Sequence, residues 1–266
     1  MPPSNHTDAG PHGTGVALGI SWATASHLGR RSENQDRVFA DGRLVVVLDG
    51  VGGVEFGGQA ASTALAEAIR VTALQQAQGA YDLDVILRSM NDAVLALSQA
   101  TGWQTATTAV LAIPEFTDQG PLLHVGWTGD SGAILVRGSQ LSDITGRGSG
   151  GGRRLEEWLG NPDGYGRNQV TLPLQRGDRF LAFTDGLTSA CSLDEIGAQI
   201  ASAGSADAAV RAVLGAAHKR GISDNTTLGC VFFSEQHSAD AEILMAPEVD
   251  SEGLDEHNQM VLQEHR

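Results

Sequence analysis

Apolar and polar residues alternate along the chain in a way that predicts strands grouped between pairs of helices. Compact runs rich in Val, Leu, Ile and Thr are typical of buried or half-buried strands. These runs cover residues 17–27, 43–48, 107–113, 122–128, 132–137, 179–184 and 226–233.

In four segments the apolar residues change to a helical period. Residues 57–75 form an Ala-rich amphipathic stretch, and residues 83–100 follow Asp82, a good N-cap residue. Two more helices are predicted at 192–202 and 206–219. Since the helices occur in pairs rather than after every strand, the order favours antiparallel sheets flanked by helices over a doubly wound parallel sheet.

The chain of 266 residues is long enough for one large domain, and its composition divides it into three parts. Residues 1–16 are polar and rich in Gly, Pro and His, so we expect a disordered lead. Residues 17–233 carry the strands and helices. Residues 234–266 hold nine acidic residues and one basic residue, a net charge of −8, and predict a flexible tail.

Charge and cysteine content limit the kinds of function. The net charge of −15 argues against general nucleic-acid binding, which needs a basic surface. The sequence shows neither a secretion signal at its start nor an apolar run long enough to span a membrane. Only two cysteines are present, which favours a reducing cytoplasm. We therefore expect a cytoplasmic protein that binds neither nucleic acid nor membrane, and a monomer.

Five acidic motifs stand at the ends of strand-like runs or in turns beside them. They are Asn34-Gln35-Asp36, Asp49-Gly50-Val51-Gly52-Gly53, Gly129-Asp130-Ser131, Thr184-Asp185-Gly186 and Ser223-Asp224-Asn225. A single aspartate in a turn is ordinary, but several carboxylates at strand ends can converge into a site for a hard cation. Arg31 lies shortly before Asp36, and an arginine beside a cation site suggests phosphate chemistry.

A dinucleotide-binding turn is the alternative interpretation of the glycines after Asp49. Two features exclude it. Glu55 occupies the third glycine position of that fingerprint, and the carboxylate of Asp49 would repel a pyrophosphate. A cation held by the Asp49 carboxylate and the Gly50 carbonyl suits the segment better.

Taken in order, the motifs resemble those of the PP2C-type, metal-dependent protein phosphatases, the PPM family, in their bacterial form. The resemblance covers about residues 21–233. It rests on the run Ser26-His27-Leu28-Gly29-Arg30-Arg31-Ser32-Glu33-Asn34-Gln35-Asp36, on Val47-Leu48-Asp49-Gly50-Val51-Gly52-Gly53, Thr107-Thr108-Ala109-Val110 and Gly129-Asp130-Ser131, and on Phe183-Thr184-Asp185-Gly186-Leu187 and Ser223-Asp224-Asn225-Thr226-Thr227.

The resemblance implies an α+β fold, a four-layer α-β-β-α sandwich of two antiparallel sheets flanked by helix pairs, with a dinuclear metal cleft at one end. It also implies the roles of the site residues. Asp49 would bridge two Mn²⁺ or Mg²⁺ ions and Gly50 would offer its carbonyl. Asp185 and Asp224 would complete the shell, and Asp36 would act through a water. Asp130 would join Asp185 in holding a weaker third ion.

The activity that the resemblance implies is hydrolysis of phosphoserine and phosphothreonine in proteins, in opposition to a Ser/Thr kinase. A water bridging the metals would attack phosphorus in line, while Arg31 grips the phosphate. The partners would then be phosphorylated proteins, including such a kinase or its substrates. Two other readings stay open: a catalytically inactive regulatory module, and a phosphatase acting on anti-sigma-antagonist proteins.

The sequence departs from the family pattern at three places. Val51 stands where many eukaryotic members have a histidine proposed as general acid, so the proton donor to the leaving group is unassigned. Gly132 replaces an arginine usual after Gly-Asp-Ser. The segment 138–168, beside the expected cleft, is short and glycine-rich, and we expect it to be irregular.

Overall fold

Two antiparallel sheets lie at the centre of the structure, a computed structural model that describes residues 18–51, 56–79, 81–146, 157–235 and 261–265. In chain order the strands are β1 (Leu18–His27), β2 (Arg37–Ala40), β3 (Val45–Leu48), β4 (Gly50–Val51), β5 (Ala106–Thr107), β6 (Ala109–Thr117), β7 (Gly120–Thr128), β8 (Gly132–Arg137), β9 (Gln140–Asp143), β10 (Asn168–Pro173), β11 (Arg179–Phe183), β12 (Thr226–Glu235) and β13 (Val261–His265). The helices are α1 (Gly57–Gln78), α2 (Leu83–Thr101), α3 (Asp185–Ala190), α4 (Leu193–Ser202) and α5 (Ala206–Arg220).

The strands form two large sheets and one small ribbon. The six-stranded sheet has the order β13-β1-β12-β11-β8-β9, and the five-stranded sheet has the order β10-β7-β6-β3-β2. Strands β4 and β5 pair as the ribbon. All these pairings are antiparallel. The predicted α+β class with two antiparallel sheets is therefore confirmed.

Three apolar layers hold the sandwich together. Between the sheets, side chains such as Val47, Val110 and Phe180 pack face to face. Helices α1 and α2 cover the outer face of the five-stranded sheet, and α4 and α5 cover that of the six-stranded sheet. The layers follow from strands buried on both faces and helices with one apolar face, and each large buried side chain contributes about 1.5–3 kcal/mol.

Most predicted elements agree with the structure within a few residues. Helix α2 begins where its cap predicts, because the Asp82 side chain accepts hydrogen bonds from the backbone N–H groups of Asp84 and Val85. The run 107–113 is divided at Thr108, which separates the ribbon strand β5 from the sheet strand β6. The backbone of Asp49 is held by Thr108 at this break.

Several elements were not predicted. Strands β2, β9 and β10 are short or polar, and β9 and β10 lie at sheet edges. Along β10 the side chains alternate only between half-buried and exposed positions, so no apolar run marks it. The expectation that 138–168 is irregular was wrong at β9 and at the start of β10. Main-chain pairing with a neighbouring strand is enough to order such segments.

The predicted flexible tail, 234–266, differs from the structure at both ends. Residues 234 and 235 continue β12, and Val261–His265 pairs along β1, with Ser26 opposite Val261. The open edge of β1 offers main-chain partners to almost any sequence. Residues 236–260 lie outside the described part of the chain. So do residues 1–17, including the predicted disordered lead, and residues 147–156 of the glycine-rich segment.

The two cysteines of the chain, Cys191 and Cys230, are both buried and free of disulfides. In the described part of the chain no helix combines the length and the apolar character needed to cross a membrane.

Candidate active site

The register of the strands brings the five acidic motifs to one end of the sandwich. In the six-stranded sheet, His27 pairs with Thr226, and Phe183 pairs with both Gly132 and Leu228. In the five-stranded sheet, Arg37 pairs with Leu48, and Ala109 with Thr128. Asp36 and Asp49 are adjacent to one of these strand ends, and Asp130, Asp185 and Asp224 are each two residues from one. Strands distant in sequence therefore deliver their carboxylates to a common cleft.

Asp49 is fixed through its backbone by the break between β5 and β6. Its N–H donates to the Thr108 hydroxyl at 3.0 Å, and its carbonyl accepts from the N–H of Thr108 at 2.8 Å. The Thr107 hydroxyl donates to the same carbonyl at 2.9 Å. The Thr108 hydroxyl also bonds to the hydroxyl of Ser131 at 2.7 Å, which ties the Gly129-Asp130-Ser131 turn to Asp49.

Asp36 is the most deeply buried of the predicted ligands, with 3% of its surface exposed. The Thr184 hydroxyl donates to its Oδ2 atom at 3.0 Å, while Oδ1 has no hydrogen-bond partner. The segment before Asp36 is held by a chain of polar contacts: Asn34 Oδ1 accepts from the N–H of Asp36, and Asn34 Nδ2 donates to the Ser26 hydroxyl. Asp36 is thus a placed carboxylate with one unsatisfied oxygen.

The loop that carries Arg31 is pinned by Asn225. The Asn225 amide nitrogen donates to the carbonyls of Leu28 and Glu33 at 2.9 and 3.0 Å, and its Oδ1 accepts from the N–H of Gln35 at 2.9 Å. Within this loop Gly29 has a φ of +67°, and a Cβ atom there would lie 2.2 Å from the carbonyl oxygen of Asp224. Glycine lets the loop pack directly against the Asp224 backbone.

Burial and mutual repulsion disfavour the charged forms of the inner carboxylates. Burial raises the pKa of Asp49 well above its usual value, and the charges of Asp36, Asp185, Asp130 and Asp224 raise it further. Burial also raises the pKa of Asp36 to about 7, although hydrogen bonds from Thr227 and Thr184 oppose the shift. Such a set of carboxylates needs a positive charge to become favourable.

Asp185 behaves in the same way at the start of α3. Burial raises its pKa to about 6, with Asp130 and Asp224 adding to the shift and Arg31 opposing it. Asp130 is the largest charge acting on Asp185. All the other predicted acidic site residues therefore lie within electrostatic reach of Asp49.

Arg31 lies at the outer side of the cleft and forms an ion pair with Asp224. The distance from Nη2 to Asp224 Oδ2 is 2.7 Å, and the two side chains are 61% and 38% exposed. Arg31 also interacts electrostatically with Asp49 and Asp185. An exposed guanidinium at the edge of a carboxylate cleft can turn toward an incoming phosphate, because its ion pair in water is weak.

The residues present suit a divalent cation in their chemistry. Carboxylate and carbonyl oxygens are the ligands that Mg²⁺ and Mn²⁺ prefer, and Asp36 Oδ1 is a buried acceptor without a partner. Within the described ranges, however, no three His, Cys, Asp or Glu side chains are gathered closely enough to form a ready-made metal cluster. Asp224 is instead turned to Arg31.

Sequence reasoning missed the residues that hold the carboxylates in place. Thr108, Thr184 and Asn225 belong to motifs that the sequence singled out, but only their aspartates and glycines were assigned roles. Their side chains bond to groups between 23 and 197 residues away along the chain. The signal that could have found them is a polar residue next to each predicted ligand at the end of a buried strand.

The structure gives a local reason for the departure at Gly132. A Cβ atom there would lie 2.5 Å from the ring of Phe183, the residue paired with Gly132 across the sheet. No side chain fits at this position in the present packing. His27, at the end of β1, accepts the N–H of Gly29 at Nδ1, and burial lowers its pKa. It is therefore a neutral acceptor that helps shape the loop.

Comparison with known proteins agrees with this arrangement. A sequence model of the family described as "Protein phosphatase 2C" matches residues 24–225, about three quarters of the chain. This chain belongs to the protein phosphatase 2C family. A search of curated proteins found no match.

Solved structures of bacterial phosphatases share the fold. PppA, described as a key regulatory component of T6SS in Pseudomonas aeruginosa, is 23% identical with a TM-score of 0.69, covering 80% of this chain and 97% of PppA. The PPM Ser-Thr phosphatase MsPP from Mycobacterium smegmatis, solved with cacodylate, is 27% identical with a TM-score of 0.63, covering 80% and 97%.

A third similar structure is the Mycobacterium tuberculosis serine/threonine phosphatase PstP/Ppp. It is 22% identical with a TM-score of 0.67, and the match covers 82% of this chain and all of that one. The PstP catalytic domain has also been solved with two manganese ions, and it matches equally well. The four-layer sandwich of this protein phosphatase is therefore the fold of the bacterial Ser/Thr phosphatases.

Proposed function

We propose that this protein phosphatase hydrolyses phosphoserine and phosphothreonine in proteins and needs two divalent cations, Mn²⁺ or Mg²⁺. The observation that carries the proposal is the convergence of Asp36, Asp49, Asp185 and Asp224 in one cleft, where their like charges act on one another. Such a group of carboxylates is electrostatically unfavourable by itself and is well suited to holding cations.

The side chains of the cleft would divide the work. Asp49, Asp185 and Asp224, with the carbonyl of Gly50, would hold the two cations. Bound there, the cations would neutralise the substrate phosphate and lower the pKa of water. Asp36 Oδ1 is an acceptor able to orient the attacking water. Asp130, with Asp185, would hold a weaker third ion.

Arg31 would bind the phosphate oxygens by charge-assisted hydrogen bonds. Its exposure and its position beside Asp224 support this role. The ion pair with Asp224 would have to give way, which is inexpensive for groups so exposed to water.

A cysteine nucleophile is not a competing mechanism. Burial raises the pKa of Cys230 to about 12 and also raises that of Cys191. Both thiols are therefore protonated at neutral pH and shielded from substrate, whereas a nucleophilic cysteine needs an exposed thiolate. These free thiols also suit the reducing cytoplasm in which we propose that the protein acts.

Phosphorylated proteins are the proposed partners, with the phosphatase opposing a Ser/Thr kinase as a monomer. The fold shared with MsPP and PstP, and the family match, support this substrate class. We favour it over an inactive regulatory module because the sequence has lost none of the predicted carboxylate ligands Asp49, Asp185 and Asp224.

The test is hydrolysis of a phosphothreonine peptide by purified protein with Mn²⁺ and then with excess EDTA. We expect turnover with Mn²⁺, its loss with EDTA, and near-complete loss in Asp185→Asn. The matched control is Asp118→Asn, because Asp118 is exposed in the β6–β7 turn at the opposite end of the sheet. A folded wild-type protein inactive with every divalent cation would refute the proposal, as would full activity in Asp185→Asn.

A further inference from the structure

Thr184 makes an unusual choice of hydrogen-bond partners for its position. It is the N-cap residue of α3, where a threonine hydroxyl ordinarily accepts from the first helical N–H groups. Here the side chain forms no capping bond. Its hydroxyl instead accepts from the N–H of Thr227 at 2.9 Å and donates to Asp36 Oδ2 at 3.0 Å. The hydroxyl therefore does not cap its own helix and forms a long-range contact with the site residue Asp36 instead.

The direction of this contact is determined when Asp36 is ionised, which is the form that favours a nearby cation. An ionised carboxylate can only accept hydrogen bonds, and the Thr184 oxygen already accepts from Thr227. The single proton of the hydroxyl must therefore point to Asp36 Oδ2. Thr184 is completely buried, and its own N–H donates to the carbonyl of Thr227 at 2.9 Å, so the side chain is held from both sides.

The contact also joins the two sheets at the cleft. Thr184 follows β11 of the six-stranded sheet, and Asp36 precedes β2 of the five-stranded sheet. With Oδ2 engaged, the other oxygen of Asp36 has no protein partner. The charge of Asp36 acts on Asp49 more strongly than that of any other carboxylate. Thr184 thus holds Oδ2, whereas the hydroxyl of Thr227, which also acts on Asp36, is bonded to the Ser26 hydroxyl at 2.7 Å.

We propose that Thr184 is a positioning residue that acts through Asp36: its hydroxyl holds Oδ2, keeps Oδ1 available as an acceptor, and thereby strengthens cation binding in the cleft. This rests on the proposed function, because it concerns the same cations. Thr184 touches neither cation nor substrate in this role. Removing a partner that orients groups around a metal typically weakens affinity about 10- to 100-fold.

Two substitutions at this position separate the hydroxyl from the packing. Thr184→Val keeps the shape and removes the hydroxyl, whereas Thr184→Ser keeps the hydroxyl and removes a methyl group. The measured quantity is the Mn²⁺ dissociation constant of the full chain, from titration followed by the electron paramagnetic resonance of free Mn²⁺. We expect Thr184→Val to bind Mn²⁺ about tenfold more weakly and Thr184→Ser to bind like the wild type.

Thr72→Val is the matched control. Thr72 is a buried threonine of α1 whose hydroxyl has no hydrogen-bond partner, so its removal should leave Mn²⁺ affinity unchanged. A further test combines Thr184→Val with Asp36→Ala. If Thr184 acts through Asp36, the double variant binds Mn²⁺ no more weakly than Asp36→Ala alone.

Thr184→Val leaves the N–H of Thr227 without a partner and could prevent folding. In that case Thr184→Ala replaces it, because the space it opens can admit a water to satisfy that N–H. Unchanged Mn²⁺ affinity in a folded variant without the hydroxyl would overturn the proposal. So would a loss in Thr184→Ser equal to that in Thr184→Val, since packing alone would then explain the effect.

The result for Thr184 can be distinguished from the result for the proposed phosphatase activity. A wild-type protein that binds Mn²⁺ but hydrolyses no phosphopeptide would contradict the proposed activity alone, and the affinity comparison would still decide the role of Thr184. A wild-type protein that binds no Mn²⁺ would overturn both.

Discussion

The inner part of the cleft and its rim are built on different principles. The inner part, defined here as Asp36, Asp49 and Thr184, is held by hydrogen bonds to backbone and side chains from distant strands. The rim, defined as Arg31 and Asp224, is an exposed ion pair between two loops, the one after β1 and the one before β12. The inner carboxylates carry raised pKa values, whereas the rim supplies its own counter-charge. Under the proposed function, cation affinity would depend mainly on these buried, electrostatically unfavourable groups, whereas Arg31 at the exposed rim would bind the substrate phosphate.

Of the substitutions that test this difference between the inner part and the rim, Asp49→Asn should have the largest effect on activity. The variant loses the central carboxylate of the inner part, so we expect turnover of a phosphothreonine peptide to fall about 1000-fold or more, since charge stabilisation by a cation is worth several kcal/mol. The same change replaces a buried carboxyl group whose charged form is disfavoured by burial and by the neighbouring carboxylates. In EDTA, the variant should therefore be at least as thermally stable as the wild type. A less stable variant with unchanged turnover would reverse our view of the inner part.

Arg31→Ala should lower activity less than Asp49→Asn does. It removes a phosphate contact at the rim instead of a carboxylate of the inner part. Loss of a charge-assisted contact to phosphate should lower kcat/KM for a phosphopeptide about 10- to 100-fold. The melting temperature should hardly change, because exposed ion pairs contribute about 0–1 kcal/mol. Arg30→Ala is the matched control: Arg30 is exposed, and its hydrogen bond to Ser223 comes from the backbone. Equal losses in the two variants would show a general charge effect instead of a specific contact.

The pH dependence of stability should show the smallest effect. Burial raises the pKa of Asp36 to about 7, from its ordinary value of 3.8. The folded protein then binds more protons than the unfolded chain between these values, so its free energy of unfolding falls as pH rises. Asp36→Asn removes this contribution. In EDTA, between about pH 5 and 8, the wild type should lose a few degrees more of its melting temperature than the variant.

A comparison of slopes is needed here because other groups titrate in the same range. The pKa of His27 is lowered by burial and by His218, so its contribution to stability increases as pH rises toward about 6.5. This contribution is the same in both proteins and cancels in the difference. Identical slopes for wild type and Asp36→Asn would contradict the assigned pKa.

Local sequence patterns predicted most of the fold. The run Val45–Leu48 is buried at every position, and the apolar period and cap of α2 define its start. Strands β9 and β10 escaped prediction because edge strands with polar side chains are ordered by main-chain pairing, which leaves no mark on composition. The same holds for β13, which pairs with β1 although the tail around it is acidic.

For the site, the sequence by itself determined which chemical groups are present. It specified aspartates at strand ends, an arginine before Asp36 and glycines where backbones approach closely, since these depend on residue type and local spacing. Only the tertiary structure decided that Thr184 serves Asp36 rather than its own helix, that Asn225 pins the Arg31 loop, and that Arg31 pairs with Asp224. These contacts join residues more than 140 positions apart. Strand register fixes such distances, and register is a property of the packed sheets as a whole.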